Sequence, residues 1–503
     1  MELMNTASEA PGGVAEPGVM QPSERHAVAR PRTSLLRVFY GLSLALAISA
    51  WFEAFRYPFW LDETVSYWQI NGGFRQIWSR SIIGNCFPAH DYILWLTQVL
   101  FGSNEMVLRV PSVLAMMAAA YVLYRCAREL FEQDVAMIGV IIFCLDTGVR
   151  FAAIDARPYA FGVLAITTAM LALIRWMKTQ RMRYAVMLGV SSALMLYFHY
   201  LLGLVLPAFV IYYLAIRRRS LRTDAVQIAV ALACFGLLSL PVISRLQYLF
   251  ATRSSHVFSE GAKLTDFLLL VWPAVAVLVA MAIKKDADGR RSAILPITMA
   301  VVPLGLLYGI SVLTPLHIFV SRYCIQAAPG IALCGAWLVG KLLVRPAHRA
   351  LATLFIVFLF TLPVFLTAKG KTHGYTWKYA LEYANKLAVK EHMPVLICSD
   401  LPESDFQRMP TEGLSDALIF APLSYYKVDA EVVALPRSLN DEAMRVGREF
   451  MGSAGPRRQR FLALAFVPSY RTLTWLSEYA NNWYVSRPIA ESDGIIVMEF
   501  IPR

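Results

Sequence analysis

Carboxylates, guanidiniums and imidazoles recur at the ends of apolar segments in the first two thirds of the chain. Asp62 and Glu63 follow the first apolar run, and Asp155 and Arg157 stand just before a later one. Guanidinium groups bind phosphate oxygens bidentately, and a carboxylate beside them can take a proton from a hydroxyl nucleophile. These residue types therefore predict a site that holds a phosphate and activates a hydroxyl. The candidate residues are Asp62, Glu63, His90, Asp91, Arg109, Asp155, Arg157, Tyr159, His199, His317, Arg322 and Tyr323, and Arg245 and His256 continue the series.

The composition places these residues in a membrane protein. Of the 503 residues, 57% are hydrophobic and only 16% are charged, and the mean hydropathy is +0.51. A soluble globular protein has about 25% charged residues, so this chain could not cover its surface with polar groups. Seven scattered cysteines give neither a disulfide framework nor a zinc spacing. The sequence thus excludes a collagen, a coiled coil, a disulfide-rich miniprotein and a nucleic-acid-binding module.

Apolar runs organise residues 34–368, since a helix needs about 20 apolar residues to cross a bilayer. Residues 1–33 lack such a run and are rich in Pro, Gly, Ala and Ser, which predicts a disordered cytoplasmic tail. The segment 91–101 is too short to span, and we interpret it as an interfacial or re-entrant helix within a loop over 57–106. We predict eleven spans, at 34–56, 107–129, 133–151, 158–176, 184–199, 200–216, 224–244, 265–283, 292–313, 323–343 and 350–368.

The distribution of basic residues predicts the orientation in a cell or inner membrane. If the N-terminus is cytoplasmic, 21 of the 47 Lys and Arg residues lie on the cytoplasmic side and 10 in the opposite loops before residue 369. The other 16 lie in 369–503, where 16 acidic residues balance them. This excess follows the positive-inside rule, and it removes any need for a nucleic-acid partner. An odd number of spans then places residues 369–503, and the loop that carries Asp62, outside the cytoplasm.

Residues 369–503 have a different pattern from the spans. Short apolar runs at 394–398, 431–435, 461–466 and 494–500 alternate with helical patterns at 377–389 and 441–451. Strands that alternate with helices predict a small α/β domain. The alternative is a helical extension with one hairpin.

The candidate residues are expected to line one cavity. Polar groups at membrane depth cost about 2.5–3.5 kcal/mol each on insertion scales, so their positions are informative. Here, spans that are distant in sequence place them at the same extracytoplasmic end, where a lipid phosphate has access from the bilayer. The sequence has neither a P-loop nor a GxGxxG motif, which fits a donor activated elsewhere. A transporter could use the same groups, so the residues alone leave both functions open.

Several short motifs in one order resemble the GT-C glycosyltransferases, which include protein O-mannosyltransferases, the lipid A aminoarabinose transferase and Rgt-type galacturonosyltransferases. The resemblance extends from about residue 34 to 430. It includes Trp377 and Tyr425-Tyr426 in the C-terminal segment. The motifs are Asp62-Glu63, His90, Leu108-Arg-Val-Pro-Ser112, Tyr124-Arg-Cys-Ala-Arg-Glu-Leu-Phe131, Asp155-Ala-Arg-Pro-Tyr-Ala160 and Ser321-Arg-Tyr-Cys324.

This resemblance implies a membrane glycosyltransferase that moves a sugar from a polyprenyl phosphate to a hydroxyl of an extracytoplasmic acceptor. The acceptor would be lipid A or lipopolysaccharide, a cell-envelope glycan or a protein. The family carries an acidic pair in its first outer loop, so Asp62 is the expected base and Glu63 an assisting or structural residue. Arg109, Arg157, Arg322 and Tyr323 are the expected phosphate contacts. The remaining candidates, His90, Asp91, Asp155, Tyr159, His199 and His317, are expected to line the cavity.

Other interpretations remain at this stage. The chain could be a transporter or lipid-carrier flippase, or an inactive glycosyltransferase-like assembly subunit. A secondary transporter would place coupling carboxylates near mid-bilayer, whereas the acids here lie at one interface. His90, His256 and His317 have no recognisable ligand spacing, so no metal or other cofactor is predicted.

Overall fold

The computed structural model describes residues 31–83, 87–217, 221–251, 261–283, 287–367, 375–406, 417–452, 459–466 and 469–503. The predicted tail lies outside these residues except for 31–33, which belong to the first helix. The first helices are α1 Pro31–Ser49, α2 Leu61–Asn71, α3 Phe74–Ile83, α4 Ala89–Phe101, α5 Glu105–Leu130, α6 Gln133–Leu145, α7 Thr147–Ala153 and α8 Tyr159–Thr179. They continue with α9 Met182–Phe198, α10 Leu206–Ile216, α11 Leu221–Ala251, α12 Leu264–Ile283, α13 Ala287–Leu313, α14 Ser321–Cys324, α15 Ala328–Leu342 and α16 Pro346–Thr367.

The membrane half is a bundle of apolar helices. Within the described residues, seven helices are long and apolar enough to cross a membrane, and α6 with α7 adds an eighth if a bent pair counts as one span. Three shorter apolar helices, at Leu36–Ser49, Met182–Phe198 and Tyr200–Ile216, coincide with the remaining predicted spans. The polytopic helical fold is therefore confirmed. α4 has 13 residues and stays a short helix between α3 and α5.

Two predicted spans differ from the structure. The first apolar helix ends at Ser49 rather than near residue 56, and only a short 3-10 turn at Ala54–Arg56 precedes α2. The span predicted at 133–151 bends by 69° between α6 and α7. Asp146 lies at the bend and accepts a 3.0 Å hydrogen bond from the Val149 backbone N–H, because a new helix start needs a cap for its free N–H groups. The bend lets α7 pack against α5 and α14.

Neighbouring helices pack through small and aliphatic residues. α5 packs on α8, α8 on α9, α9 on α11, and α13 and α6 on α15. Ala119, Ile166 and Met170 are fully buried at the centre of this core. α11 and α12 leave most of their apolar side chains exposed, as expected for helices at a lipid-facing rim.

The C-terminal segment is an α/β domain, so the alternative of a helical extension is wrong. Its described elements are α17 Lys378–Glu391, β1 Val395–Cys398, α18 Ala421–Tyr425, β2 Val432–Leu435, α19 Asp441–Gly452, β3 Phe461–Phe466, α20 Tyr470–Ala480, β4 Tyr484–Ser492 and β5 Ile495–Pro502. The strands among these elements lie in the order β2-β1-β3-β5-β4. β1 is parallel to β2 and β3, and β5 is antiparallel to β3 and β4. The strand β4 and the helix α20 were not predicted.

The α/β domain and the segment before α2 share one hydrophobic core, which contains Phe59 and Leu61 together with β1 and β3. Both backbone polar groups of Phe59 are held from the C-terminal segment. The Thr376 hydroxyl donates to the Phe59 carbonyl at 2.8 Å, and the Phe59 N–H donates to the Tyr426 hydroxyl at 2.7 Å. We call this pair of bonds the Phe59 clamp. It fixes the backbone three residues before Asp62.

Candidate active site

The two adjacent carboxylates occupy the first turn of α2, not the exit of α1. Neighbouring residues on a helix point about 100° apart, so Asp62 and Glu63 face different surroundings. A helix N-terminus also favours negative charge, because its first N–H groups have no partner within the helix. We call the end of the bundle that carries this turn the site end.

Asp62 pairs with an arginine that is distant in sequence. Arg322 Nη1 in α14 donates to Asp62 Oδ2 at 2.8 Å, and the two side chains keep 23% and 21% of their surface exposed. The structure therefore brings the expected base and one expected phosphate contact together in a partly exposed ion pair.

Arg157 lies on the other side of the same turn. Its Nη1 donates to the Asp62 carbonyl at 3.3 Å and to the Ser66 hydroxyl at 3.2 Å. Two guanidiniums thus lie at this turn, with Arg322 on the partly exposed carboxylate of Asp62 and Arg157 on its backbone carbonyl. The local excess of positive charge suits an anionic ligand.

Aromatic rings form the wall beside this pair. The Tyr159 and His199 ring centroids are 5.7 Å apart, those of His199 and Tyr323 4.9 Å, and those of Tyr159 and Tyr323 6.5 Å. His199 Nδ1 accepts from the Leu201 N–H at 3.3 Å, which fixes the ring at the start of the turn between α9 and α10. Arg322 lies 5.4 Å from the Tyr323 ring centroid. Four sequence candidates therefore meet next to Asp62.

Glu63 and Arg109 form a separate, fully buried pair. Arg109 Nε donates to Glu63 Oε1 at 2.7 Å, and Nη2 donates to Oε2. The other Arg109 donors are taken by the carbonyls of Phe55, Tyr57 and Pro58 at 3.0, 2.7 and 3.2 Å. All five guanidinium donors are thus in use. This geometry favours positioning of the loop before α2 over the phosphate contact expected for Arg109.

Asp155 supports the same loop. The Trp60 indole N–H donates to Asp155 Oδ1 at 3.0 Å, and the neighbouring Ala156 N–H donates to Glu63 Oε1 at 2.9 Å. Asp155 is fully buried. Burial and, to a smaller extent, the charge of Glu63 raise the pKa of Asp155 well above the ordinary value of an aspartate. Glu63 thus connects α2 with α5 and with the loop before α8. Asp155, in that loop, is hydrogen-bonded to Trp60 just before α2.

His90 and Asp91 lie behind Arg157. Ser81 donates to Asp91 Oδ2 at 2.6 Å. His90 is 1% exposed and packs 5.7 Å from the Phe161 ring centroid. Burial lowers the pKa of His90, the neighbouring Asp91 opposes this effect, and the charge of Arg157 lowers the pKa slightly further. The contacts of His90 are thus with Asp91, at 3.7 Å, and with Phe161.

The remaining candidates are not part of this cluster. Arg245 lies 4.0 Å from the Trp78 ring centroid, and His317 lies in the loop before α14. His256 falls outside the described residues. Among the residues that the structure describes, no group of three or more His, Cys, Asp or Glu side chains could hold a metal ion.

A cavity of about 300 Å³ lies at the opposite end of the bundle, beside Trp337, Lys341 and Arg349. Arg349 donates to Glu132 at 3.1 Å and to Asp134 at 2.7 Å, and these carboxylates neutralise the charge of the arginine. The cavity lacks the paired guanidiniums of the site end, so we do not regard it as the active site.

Sequence analysis missed a second group near Asp62, in the α/β domain. Asp400 follows β1, is 5% exposed and lies 4.0 Å from Arg437 Nε. Burial raises the pKa of Asp400 to about 7, against the lowering effect of Tyr375 and Arg437, and the charge of Asp62 raises it further. A signal was present, because Asp400 lies two residues after the apolar run 394–398 that predicted a strand.

The comparisons with known proteins agree with this architecture. Residues 87–244 match the sequence model of the family described as Dolichyl-phosphate-mannose-protein mannosyltransferase. No curated protein matches the sequence significantly. Among solved structures, ArnT from Cupriavidus metallidurans bound to undecaprenyl phosphate is similar at 12% identity and a TM-score of 0.53, over 93% of this chain and 98% of that chain. AglB, an oligosaccharyltransferase from Archaeoglobus fulgidus in complex with an inhibitory peptide and a dolichol-phosphate, is similar at 12% identity and a TM-score of 0.51, over 94% of this chain and 75% of that chain.

At this identity the likeness concerns the fold. The chain is a multi-span membrane protein with the fold of the GT-C glycosyltransferases, and the resemblance stated from its motifs is confirmed at that level.

Proposed function

We propose that the chain is a membrane glycosyltransferase that moves a sugar from a polyprenyl phosphate to a hydroxyl of an acceptor at the site end. The observation that carries this proposal is the partly exposed Asp62 carboxylate in the first turn of a helix, paired with Arg322, with Arg157 bound to the backbone carbonyl of the same residue. The two similar structures support a lipid-phosphate ligand, since ArnT is bound to undecaprenyl phosphate and AglB to a dolichol-phosphate.

The same geometry supports a mechanism. Arg322 pairs with Asp62 in this structure. When the polyprenyl-phosphate sugar binds, the N–H groups of Arg322 would instead donate to its phosphate. Asp62 is then free to accept the proton of the acceptor hydroxyl. The acceptor oxygen attacks the anomeric carbon in line, the bond from that carbon to the phosphate oxygen breaks, and the configuration inverts. The leaving polyprenyl phosphate takes the electrons of the broken bond and gains a second negative charge, which the two guanidiniums stabilise without a general acid.

The other site residues take supporting roles in this proposal. Tyr323 lies with Arg322 on the phosphate side, and Tyr159 and His199 form the wall of the sugar cavity. Glu63 and Arg109 position the turn that carries Asp62.

We also propose the orientation and the division of the chain. Residues 34–368 form the catalytic membrane unit in a cell or inner membrane, with the N-terminus in the cytoplasm. Residues 369–503 form the extracytoplasmic domain. The acceptor is then a component of the envelope, either lipid A or lipopolysaccharide, another envelope glycan, or a protein.

The test is turnover of purified full-length protein with radiolabelled polyprenyl-phosphate sugars and an envelope extract. Asp62→Asn should leave folding intact and reduce transfer by about 10²–10⁴-fold, because that is what a general base contributes. Glu129→Gln is the matched control. Glu129 pairs with Arg175 at 3.3 Å at the opposite end of α5, with side-chain exposures of 25% and 26% close to those of the Asp62 pair.

The outcomes separate the rival functions. Near-normal transfer by Asp62→Asn would remove this residue from the chemistry. Lipid movement without sugar transfer in reconstituted vesicles would indicate a flippase. Binding of the lipid with neither activity would indicate an inactive assembly subunit.

A further inference from the structure

The carboxyl edge of the sheet in the α/β domain has the topology of a ligand site. β1, β2 and β3 are parallel, so their carboxyl ends meet at one edge, with Asp400 after β1, Arg437 after β2 and Phe466 at the end of β3. β1 has β2 on one side and β3 on the other, so the chain reverses its direction of travel across the sheet at β1. Ligands of open α/β sheets bind at such a switch point, beyond the carboxyl ends of the strands.

Asp400 at this edge is incompletely satisfied. Its Oδ1 lies 4.0 Å from Arg437 Nε, and the Tyr375 hydroxyl is near enough to the carboxyl to lower its pKa. Its Oδ2 is buried and forms no well-aligned hydrogen bond with the described residues. A buried carboxylate oxygen without a partner is costly, so a ligand hydroxyl that donates to it would bind favourably.

An aromatic platform lies beside the carboxylate. The rings of Tyr375 and Phe466 stack with centroids 3.9 Å apart and planes at 15°, and both residues are half-buried. A flat aromatic surface next to a few polar groups complements a sugar ring, which has apolar C–H faces and hydroxyls at its rim.

This edge faces the proposed catalytic carboxylate. Tyr375 precedes Thr376, which binds the Phe59 carbonyl three residues before Asp62. Burial and the neighbouring Asp400 raise the pKa of Tyr375, and the charge of Asp62 adds to the raised pKa of both Tyr375 and Asp400. The sheet edge and the turn that carries Asp62 therefore lie close together.

We infer that this edge is the acceptor subsite and that the acceptor is a saccharide, held by Asp400 and Arg437 through its hydroxyls and by the Tyr375–Phe466 platform through its ring. The inference rests on the proposed function. It favours a glycan over a protein acceptor, because a carboxylate and a guanidinium beside an aromatic surface match a polyhydroxylated ring.

The test uses saturation-transfer NMR on the purified full-length protein, without the sugar donor. The probes are the methyl glycosides of glucose, galactose, mannose and galacturonic acid, with an N-acetylated threonine amide peptide as the protein-type probe. At least one glycoside should receive saturation at its ring protons. Asp400→Asn and Phe466→Ala should each weaken its binding by roughly tenfold, the effect of losing one hydrogen bond or one stacked face.

Matched control variants come from the same domain. Glu442→Gln alters another carboxylate that pairs with an arginine, Arg445, and Tyr479→Ala removes one ring of the Trp475–Tyr479 stack. Both should bind the glycoside as the wild type does. Tyr375→Phe removes only a hydroxyl, so it replaces the larger substitutions in the binding test if these impair folding. It should weaken glycoside binding less than Phe466→Ala does.

Every other outcome overturns the inference. These outcomes are no saturation of any glycoside, binding of the threonine peptide alone, or glycoside binding that is equal in wild type and all three subsite variants. Titration with undecaprenyl phosphate tests the proposed function separately. Wild-type protein that binds a glycoside but not this lipid would contradict the proposed donor while leaving the saccharide subsite intact.

Discussion

At the residue scale, Asp62 and Glu63 show how one helical step separates two roles. Glu63 is fully buried and neutralised by Arg109, whereas Asp62 keeps part of its surface exposed beside Arg322. A carboxylate that must exchange protons needs access to its substrate, and one that anchors a loop does not. The structure therefore favours Asp62 for chemistry and Glu63 for position.

The buried pair should carry much of the stability of the site end. Arg109→Ala leaves Glu63 charged and unpaired, and we expect a loss of about 3–5 kcal/mol in unfolding free energy. Arg445→Ala breaks a largely solvated pair of the α/β domain and should cost about 1 kcal/mol or less. Denaturant unfolding in detergent measures both, and equal losses would contradict the anchoring role.

Asp400 should make stability depend on pH. Burial raises the pKa of Asp400 from 3.8 to about 7. Its contribution to stability is therefore present below the unfolded pKa and is lost as pH rises through about 7. Between about pH 5.5 and about pH 8.5, wild type should lose roughly 2 kcal/mol relative to Asp400→Asn. Parallel thermal melts at both pH values test this, and a constant difference between the two proteins would argue against a buried, neutral Asp400.

Only part of the site could be predicted from sequence. The position of Asp62 after the first apolar run was visible, but its partner Arg322 is 260 residues away and becomes a neighbour only through the packing of α14. Arg109 was expected at the phosphate, and nothing local in the sequence shows that three carbonyls of the preceding loop surround it. Tyr375 and Asp400 were missed because their relevance depends on how the α/β domain sits against the bundle.

At the scale of elements, apolar length predicted the helices well, because each span must satisfy its backbone within itself. Length could not predict where a span bends. The break at Asp146 depends on one capping carboxylate, and it turns α7 towards α14, which carries Arg322. The strands were visible as short apolar runs, except for β4, in which only Tyr484 is buried and polar residues interrupt the apolar ones.

Close packing of α9 against α11 leaves no room for a side chain at Gly189. A Cβ at Gly189 in α9 would lie 2.3 Å from the Ala231 carbonyl oxygen of α11. Gly189→Ala should force α9 and α11 apart and cost about 1–3 kcal/mol. Gly236→Ala is the matched control, since nothing lies within 4 Å of its added Cβ, and a helical alanine should gain about 1 kcal/mol. Thermal melts of the two variants should shift in opposite directions, and no shift for Gly189→Ala would refute the tight crossing.

At the scale of the whole molecule, the proposed orientation determines where the chemistry takes place. Six free cysteines lie in the described residues, five of them buried and Cys234 partly exposed, so an introduced exposed cysteine can be labelled selectively. Glu491 in β4 and Arg181 before α9 are both exposed and lie on opposite sides of the membrane in the proposed topology.

A membrane-impermeant maleimide applied to intact cells should label Glu491→Cys at once and Arg181→Cys only after permeabilisation. The unmodified chain provides the background from its native cysteines. The reverse labelling pattern would put Asp62 in the cytosol, where an acceptor of the cell envelope is not available.

The Phe59 clamp also determines when the site end is completed during synthesis. Phe59 emerges from the ribosome early, but the residues that hold its backbone, Thr376 and Tyr426, are synthesised more than 300 positions later. The opening helices and the Glu63–Arg109 pair can form long before that moment, yet the two bonds to Phe59 are absent until the α/β domain has folded. A chain interrupted during synthesis would therefore carry the turn with Asp62 only partly held in place.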